Sequence, residues 1–191
     1  MMLDLQKHQK EALLKDGTKI VLRPMVAEDK DALYEFFRTV SKEEVRYLRD
    51  NVSSRLVVEK WATSLDYDRV LPILALKDDK IIADATLHRR QFGWKHHVGM
   101  VRIFVQENIR NVGLGHLMIE EIVDLAGDLK LEKLIVELPD TNTAAIHAFR
   151  RAGFHRAAVI PGLVKDRESQ PVDVVVMTRD LKPAYDYEYD F

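Results

Sequence analysis

A short loop with two glycines joins a candidate strand to a candidate helix in the middle of the chain. It contains Arg110, Gly113 and Gly115, follows an apolar run that ends at Val105, and leads into a helical pattern that begins at Leu114. The start of a helix leaves backbone N–H groups without partners and carries the positive end of the helix dipole. Glycine lets a backbone approach a ligand closely and adopt positive φ. The loop therefore predicts either a phosphate site or a tight turn that begins the helix.

The spacing excludes two widespread phosphate loops. A dinucleotide fingerprint needs a third glycine three residues after the second, and that position is Met118. A Walker loop needs Gly-Lys-Ser/Thr, whereas Gly115 is followed by His116 and Leu117.

A second pattern lies one candidate strand further along the chain. Asn142, Ala145 and Phe149 share a predicted helix, and Gly153 followed by Phe154 ends it in the manner of a glycine C-cap. Taken with the glycine loop, this pattern resembles the two cofactor motifs of the GNAT acetyltransferase superfamily, in the same order and on the same kinds of element. The resemblance covers roughly residues 17–182 and extends to the GNAT domain of bacterial protein-lysine acetyltransferases.

Hydrophobic periodicity predicts a mixed order of strands and helices, which favours an α/β sheet covered on both faces. The resemblance implies a single GNAT-like domain whose central sheet has about six to seven strands. It also implies a splay between the fourth and fifth strands, here His97–Val105 and Leu131–Leu138. We divide the chain into a polar lead-in for which a helix is one option (1–16), the GNAT-like domain (17–182) and an aromatic and acidic tail (183–191).

Three local elements are specific enough to be checked. Lys77-Asp78-Asp79 joins two apolar runs and predicts a hairpin. Glu28–Val40 has helical spacing, and a further apolar stripe of a helix is predicted at Leu56, Val57, Trp61 and Leu65.

The resemblance implies acetyl-CoA as co-substrate, with its pantetheine arm in the splay and its pyrophosphate on the glycine loop. A strand N–H near Val105 or Gln106 is the expected oxyanion donor. The residues assigned to the cofactor are Phe104, Val105, Arg110, Asn111, Val112, Gly113, Leu114, Gly115, His116, Asn142, Ala145 and Phe149.

Two side chains that the family often uses for proton transfer are absent. Phe149 stands where a tyrosine acid is common, and Met100 stands where related bacterial enzymes often carry a glutamate base. Neither side chain can exchange a proton usefully. Either the base lies elsewhere, or the domain binds CoA or acyl-CoA as a sensor or interaction module without turnover.

Replacement bases can be named but not chosen from the sequence. His97 begins the fourth strand, and Asp84 lies among apolar residues on the preceding strand. His88 shares a strand face with Asp84 because the two differ by an even number of positions. Glu137 on the fifth strand is a further option.

The acceptor is expected to be an amine, either a small molecule or a protein lysine. In this family the first helices and two loops shape its site, here Arg38–Trp61, Gln91–His96 and Pro161–Pro171. Arg46, Tyr47 and the tail of alternating aromatic and acidic residues belong to the segments whose role stays open.

Composition argues against several classes of partner: nucleic acid, metal ions and membranes. The 29 basic and 31 acidic residues leave a formal charge of −2, which argues against a general nucleic-acid binder despite the pairs Arg89-Arg90 and Arg150-Arg151. The chain has no cysteine, and adjacent histidines on a strand point to opposite faces, so we expect no metal site. No long apolar run or secretory leader is visible, and we expect a cytoplasmic location without membrane insertion; a homodimer stays open.

Overall fold

The computed structural model describes residues 5, 8–41, 51–166 and 168–181. They form a mixed sheet of eight strands in the order β1-β2-β3-β4-β5-β6-β8-β7. The strands are β1 (Lys10–Leu13), β2 (Lys19–Pro24), β3 (Val70–Lys77), β4 (Lys80–His88), β5 (Val98–Val105), β6 (Lys133–Pro139), β7 (His155–Lys165) and β8 (Pro171–Asp180). The α-helices are α1 (Lys30–Arg38), α2 (Arg55–Thr63), α3 (Leu114–Asp128) and α4 (Thr143–Arg151).

The sheet has one strand more than the highest number expected, and the lead-in supplies it. Strand β1 pairs antiparallel with β2, so this part of the lead-in is a strand and not the helix that its polar sequence also allows. Contacts far along the chain hold it in place: Lys10 Nζ donates to Glu121 Oε2 at 2.8 Å, and His8 Nε2 lies 2.5 Å from Glu121 Oε1. Glu121 is a buried carboxylate on α3, so these contacts tie the lead-in to that helix. Lys, Glu and Ala are weak strand formers, which is why the strand was not predicted.

Helices cover both faces of the sheet, as predicted. Alternate residues of β3 divide between two apolar clusters: Ile73 packs in the cluster that includes α3, and Leu74 in the cluster that includes α1 and α2. The predicted stripe of α2 is wrong in detail. Val58 and Ala62 are completely buried, whereas Leu56 is 77% exposed.

The β3–β4 hairpin is confirmed. Its two turn residues, Asp78 and Asp79, have φ of +48° and +60°. Positive φ at both central positions is the geometry of a two-residue turn whose twist matches that of the strands.

The predicted splay lies between β5 and β6. These strands pair in parallel over three positions only, and the last pair is Met100 with Ile135. Beyond it each strand keeps its outer neighbour: Val105 still pairs with Ala83 on β4, and β6 pairs with β8 as far as Pro139. Because both outer ladders continue while the inner one stops, β5 and β6 diverge and a gap opens between them.

Candidate active site

Backbone groups of β5 line one side of the gap. The Gln106 N–H donates to the Ile82 carbonyl at 3.1 Å and therefore points toward β4. Alternation along an antiparallel ladder turns the Val105 N–H and carbonyl to the opposite side, toward the gap. Of the two N–H groups proposed as oxyanion donor, that of Gln106 is thus already bonded to β4, while that of Val105 faces the gap.

The glycine loop lies where β5 leads into α3. Gly113 precedes the helix with φ of +93°, and Asn111 also has positive φ, at +66°. The first hydrogen bond of the helix runs from the Leu117 N–H to the Gly113 carbonyl at 3.1 Å. The N–H groups that precede Leu117 in α3 are consequently the ones a helix start leaves for a ligand. This geometry suits an anionic phosphate.

Space at Gly115 agrees with close approach of a ligand. The nearest atom to a side chain built there would be Val105 Cγ2, at 3.9 Å, which is ordinary contact distance. The protein itself therefore does not require glycine at this position.

Arg110 stands between the loop and the gap. Its guanidinium donates to the Val105 carbonyl from Nη2 at 2.8 Å and from Nε at 3.1 Å. The side chain thus covers a backbone acceptor on the edge that an extended ligand would pair with.

Sequence reasoning missed Lys15 at this loop. The Lys15 N–H donates to the Val112 carbonyl at 3.0 Å, and the side chain of Lys15 packs against Gly113. The turn between β1 and β2 therefore supports the glycine loop. No local signal could have revealed this contact, because the two segments lie far apart in the chain.

The second motif mainly builds helix α4 and the core. Asn142 Oδ1 accepts from the Ala145 N–H at 3.2 Å and so begins the helix. Phe149 is fully buried and meets Phe154 edge-on, with ring centroids 5.0 Å apart. Gly153 ends the helix region with φ of +77°, as expected of a glycine C-cap.

His97 lies at the closed end of the β5–β6 pair. Its carbonyl accepts from the Glu132 N–H at 2.9 Å, before the gap begins. The eight residue steps from His97 to Val105 correspond to roughly 26 Å of strand. His97 instead lines a separate cavity of about 240 Å³. The structure does not bring it to the glycine loop.

Asp84 lies under α1. It pairs across the ladder with Phe104, whose ring packs against Phe36 with centroids 5.6 Å apart. Asp84 Oδ1 is buried and has no hydrogen-bond partner within the described residues. Burial raises the pKa of the Asp84 carboxyl to about 7. The carboxyl can accept a proton near neutral pH. Its neighbour on the ladder, Phe104, packs among apolar rings, so the surroundings of Asp84 are poor in polar partners.

His88 lies one strand away from the apex of the gap. It pairs with Met100 on β5, which pairs in turn with Ile135 on β6, so the three residues form the last row before the strands diverge. Residues in register share a face of the sheet. His88 Nε2 and Thr86 Oγ1 are 3.1 Å apart. The imidazole therefore neighbours the position where related enzymes carry glutamate.

The loops expected around the acceptor are only partly described. Phe92 and Trp94 in the second loop are each 84% exposed. The third segment is largely the continuation of β7, which extends to Lys165 rather than ending at Ile160. Arg46, Tyr47 and the tail 183–191 lie outside the described residues.

Two kinds of feature have no candidate among the described residues, a metal site and a membrane-spanning helix. No group of three or more His, Cys, Asp or Glu side chains is placed to hold a metal ion within the described ranges. Among the described helices, none has the length and apolar character needed to cross a membrane.

Sequence comparison decides the family. The family model described as "Acetyltransferase (GNAT) family" matches residues 31–154, well over half of the chain. The chain belongs to the GNAT acetyltransferase family. GNAT acetyltransferases use acetyl-CoA, and the open gap and the positive φ of Gly113 fit an extended arm that ends in a pyrophosphate.

Solved structures show the same GNAT fold. A GNAT acetyltransferase from Streptococcus pneumoniae has a TM-score of 0.72 at 23% identity, covering 84% of this chain and 99% of that one. The GNAT domain of S. lividans PAT has a TM-score of 0.73 at 20% identity, with coverages of 90% and 96%. The putative acetyltransferase yncA from Salmonella typhimurium, solved with acetyl-CoA, has a TM-score of 0.74 at 15% identity, with coverages of 86% and 95%.

Proposed function

We propose that this GNAT protein is an N-acetyltransferase that transfers an acetyl group from acetyl-CoA to a primary amine by direct attack within a ternary complex. One observation carries the proposal: the gap that opens after the Met100–Ile135 pair leads to the helix start at Gly113. A strand edge, a gap and a phosphate-binding helix start thus follow one another along the path of an extended pantetheine.

Different residues along the gap bind different parts of acetyl-CoA in this proposal. Helix-start N–H groups from Leu114 to His116 hold the pyrophosphate, and Arg110 supplies a positive charge beside them. The Val105 N–H pairs with the arm in the gap or donates to the acetyl oxygen. When bound, acetyl-CoA supplies a reactive thioester, and placing the amine beside it contributes much of the rate.

Proton removal is the step for which this chain departs from its relatives. We assign it to His88, because this side chain lies in the same row as Met100 at the apex of the gap. As the C–N bond forms and the C–S bond breaks, the His88 imidazole takes a proton from the amine. The proton then passes through water to the departing thiolate, since Phe149 has none to give. Asp84 is the alternative base, and its pKa near 7 suits the task.

The acceptor class is an amine, and the names of similar structures suggest two kinds. One neighbour is a ribosomal-protein-alanine N-acetyltransferase from Brucella melitensis, and another is a putative phosphinothricin N-acetyltransferase. Their identities to this chain are 18% and 16%, so both a protein amine and a small molecule belong in the substrate panel.

Calorimetric titration of acetyl-CoA, with adenosine as the ligand that lacks pyrophosphate, tests the binding site. We expect acetyl-CoA to bind and adenosine to bind far more weakly. Release of free thiol from acetyl-CoA in the presence of amines and lysine peptides then tests transfer. If acetyl-CoA does not bind, the proposal fails at its first step.

A second function, CoA binding without turnover, is also open to test. Met100 and the fully buried Phe149 replace both groups that the family often uses for proton transfer. A CoA-binding module without turnover would bind acetyl-CoA and release no thiol with any amine in the panel. The same two measurements therefore separate the two functions.

A further inference from the structure

A cavity opens beside His88, at the end of β4. Its volume is about 500 Å³, and its lining includes Arg69, Arg89, Arg90 and Phe92. Those lining residues, as far as the chain is described, include no carboxylate. The cavity is therefore rich in positive charge.

The ladder places this cavity next to the proposed chemistry. Val70, at its wall, pairs with His88, and His88 pairs with Met100. The row from His88 to Ile135 crosses two strand spacings, or about 10 Å. A molecule in the cavity can thus reach the apex of the gap with a chain of several atoms.

Arg69 and Arg89 are held close together, and their hydrogen bonds to the chain leave part of their positive charge uncompensated. The Arg89 N–H donates to the Arg69 carbonyl at 2.7 Å, which joins the two residues at the strand ends. Arg89 Nη2 donates to the Tyr67 carbonyl at 2.7 Å and lies 3.4 Å from Asp68 Oδ1. Arg89 Nε is buried and has no hydrogen-bond partner in the described part of the chain.

Asp68 offsets only one of the three charges. No carboxylate of the described residues lies within ion-pair distance of the Arg69 or Arg90 guanidinium. About two positive charges consequently face the cavity without an acidic partner from the described chain. Planar guanidinium groups match carboxylates in paired hydrogen bonds, which makes a carboxylate the natural complement.

We propose that the acceptor is an amine that also carries a carboxylate, with the carboxylate on Arg69, Arg89 and Arg90 and the amine extended past His88 to the gap. This inference rests on the proposed acetyl transfer and names its substrate class. His88 and Met100 separate the arginines from the gap, which favours an ω-amino carboxylate over an amine next to its carboxylate.

Paired substrates test this selectivity. Acetylation rates are measured for ω-amino carboxylates of increasing chain length and for the matching ω-amino amides, which lack only the charge. We expect kcat/KM to be at least tenfold higher for the carboxylates. In the double variant Arg69→Ala/Arg90→Ala, the ratio of carboxylate to amide should fall toward one. Arg150→Ala, an exposed arginine on α4 outside the cavity, removes the same charge and should leave the ratio unchanged.

Several outcomes would overturn the inference. Equal rates for carboxylates and amides in the unaltered protein would do so, and so would a double variant that keeps its preference. If no amine is acetylated, the proposed transfer itself fails. The carboxylate site at the arginines is then tested separately, by a binding measurement. In that case ω-hydroxy carboxylates, which cannot form an amide, are titrated into CoA-loaded protein. Binding that disappears in the double variant supports the anionic site, and absence of binding rejects it.

Discussion

The guanidinium of Arg110 donates two hydrogen bonds to the carbonyl of Val105, on the edge of β5 that faces the gap. The same side chain is proposed to meet the pyrophosphate. Two acceptors therefore compete for the Arg110 guanidinium, the Val105 carbonyl on the strand edge and, in the proposed complex, the phosphates. We expect cofactor binding to move the side chain from the strand edge to the phosphates.

Arg110→Ala tests this exchange. Loss of a charge-assisted hydrogen bond should weaken CoA binding by at least about tenfold. Pantetheine, which lacks the pyrophosphate, should bind as well as before or better, because the Val105 carbonyl is no longer covered. Calorimetry with both ligands measures the two effects, and an equal loss for both would place Arg110 away from the phosphates.

Lys15→Ala tests the contribution of the lead-in to cofactor binding. The side chain of Lys15 packs on Gly113, so its ammonium adds positive charge at the edge of the loop. Removing one exposed charge should raise the Kd for acetyl-CoA about two- to fivefold. Lys19→Ala, on the other arm of the same hairpin, is the matched control and should leave Kd unchanged. Identical affinities for the two variants would show that Lys15 is only a packing contact.

Gly113 and Gly115 should respond differently to alanine. At Gly113 the φ of +93° makes any side chain strained, and we expect Gly113→Ala to cost about 1 to 2 kcal/mol in free energy of unfolding. At Gly115 the nearest atom is 3.9 Å away, so Gly115→Ala should be neutral or stabilise by up to about 1 kcal/mol. Urea unfolding of both variants measures the difference.

Gly115→Glu then separates folding from binding. It should fold normally but bind acetyl-CoA poorly, because a carboxylate among the helix-start N–H groups repels the pyrophosphate. Unchanged affinity would contradict the loop assignment.

His88→Ala should lower kcat about 10²- to 10⁴-fold, the usual contribution of a general base. The Kd for acetyl-CoA should stay the same, because His88 lies outside the glycine loop that is proposed to hold the pyrophosphate. His155→Ala is the matched control, because His155 Nε2 likewise lies 3.1 Å from a threonine hydroxyl, that of Thr178. If Asp84→Asn abolishes turnover while His88→Ala retains it, Asp84 is the base instead.

Asp84 should also make stability depend on pH. Burial raises the pKa of this carboxyl from 3.8 to about 7 in the folded protein. Between these values the unfolded chain is ionised and the folded one protonated, so folding takes up a proton and stability falls as pH rises. The loss between pH 5 and pH 7 should reach up to about 3 kcal/mol. Urea unfolding should show this slope in the unaltered protein and a flatter curve in Asp84→Asn; parallel curves would contradict it.

Local patterns in the sequence predicted much of the scaffold. The two turn aspartates, the helix start at Leu114 and the glycine end of α4 each depend on a few neighbouring residues, and all three are present. The splay was predicted only through the resemblance. Its physical cause, two outer ladders that outlast the inner pairing, became visible in the register of β5 and β6.

Contacts between distant segments were not predictable in the same way. Strand β1 has weak intrinsic preference and depends on pairing with β2 and on Glu121. The buried side of α2 was misassigned because helical spacing alone does not say which apolar residues meet the sheet.

The sequence by itself determined the family and the order of the elements from β2 onward, because glycine spacing and hydrophobic period are local properties of the chain. Only the tertiary structure decided which ionisable groups lie near the gap between β5 and β6. It placed His97 at the closed end of the β5–β6 pair, Asp84 under α1, and His88 in the row at the apex. Those positions follow from strand register, which is fixed by long-range pairing and burial rather than by neighbouring residues.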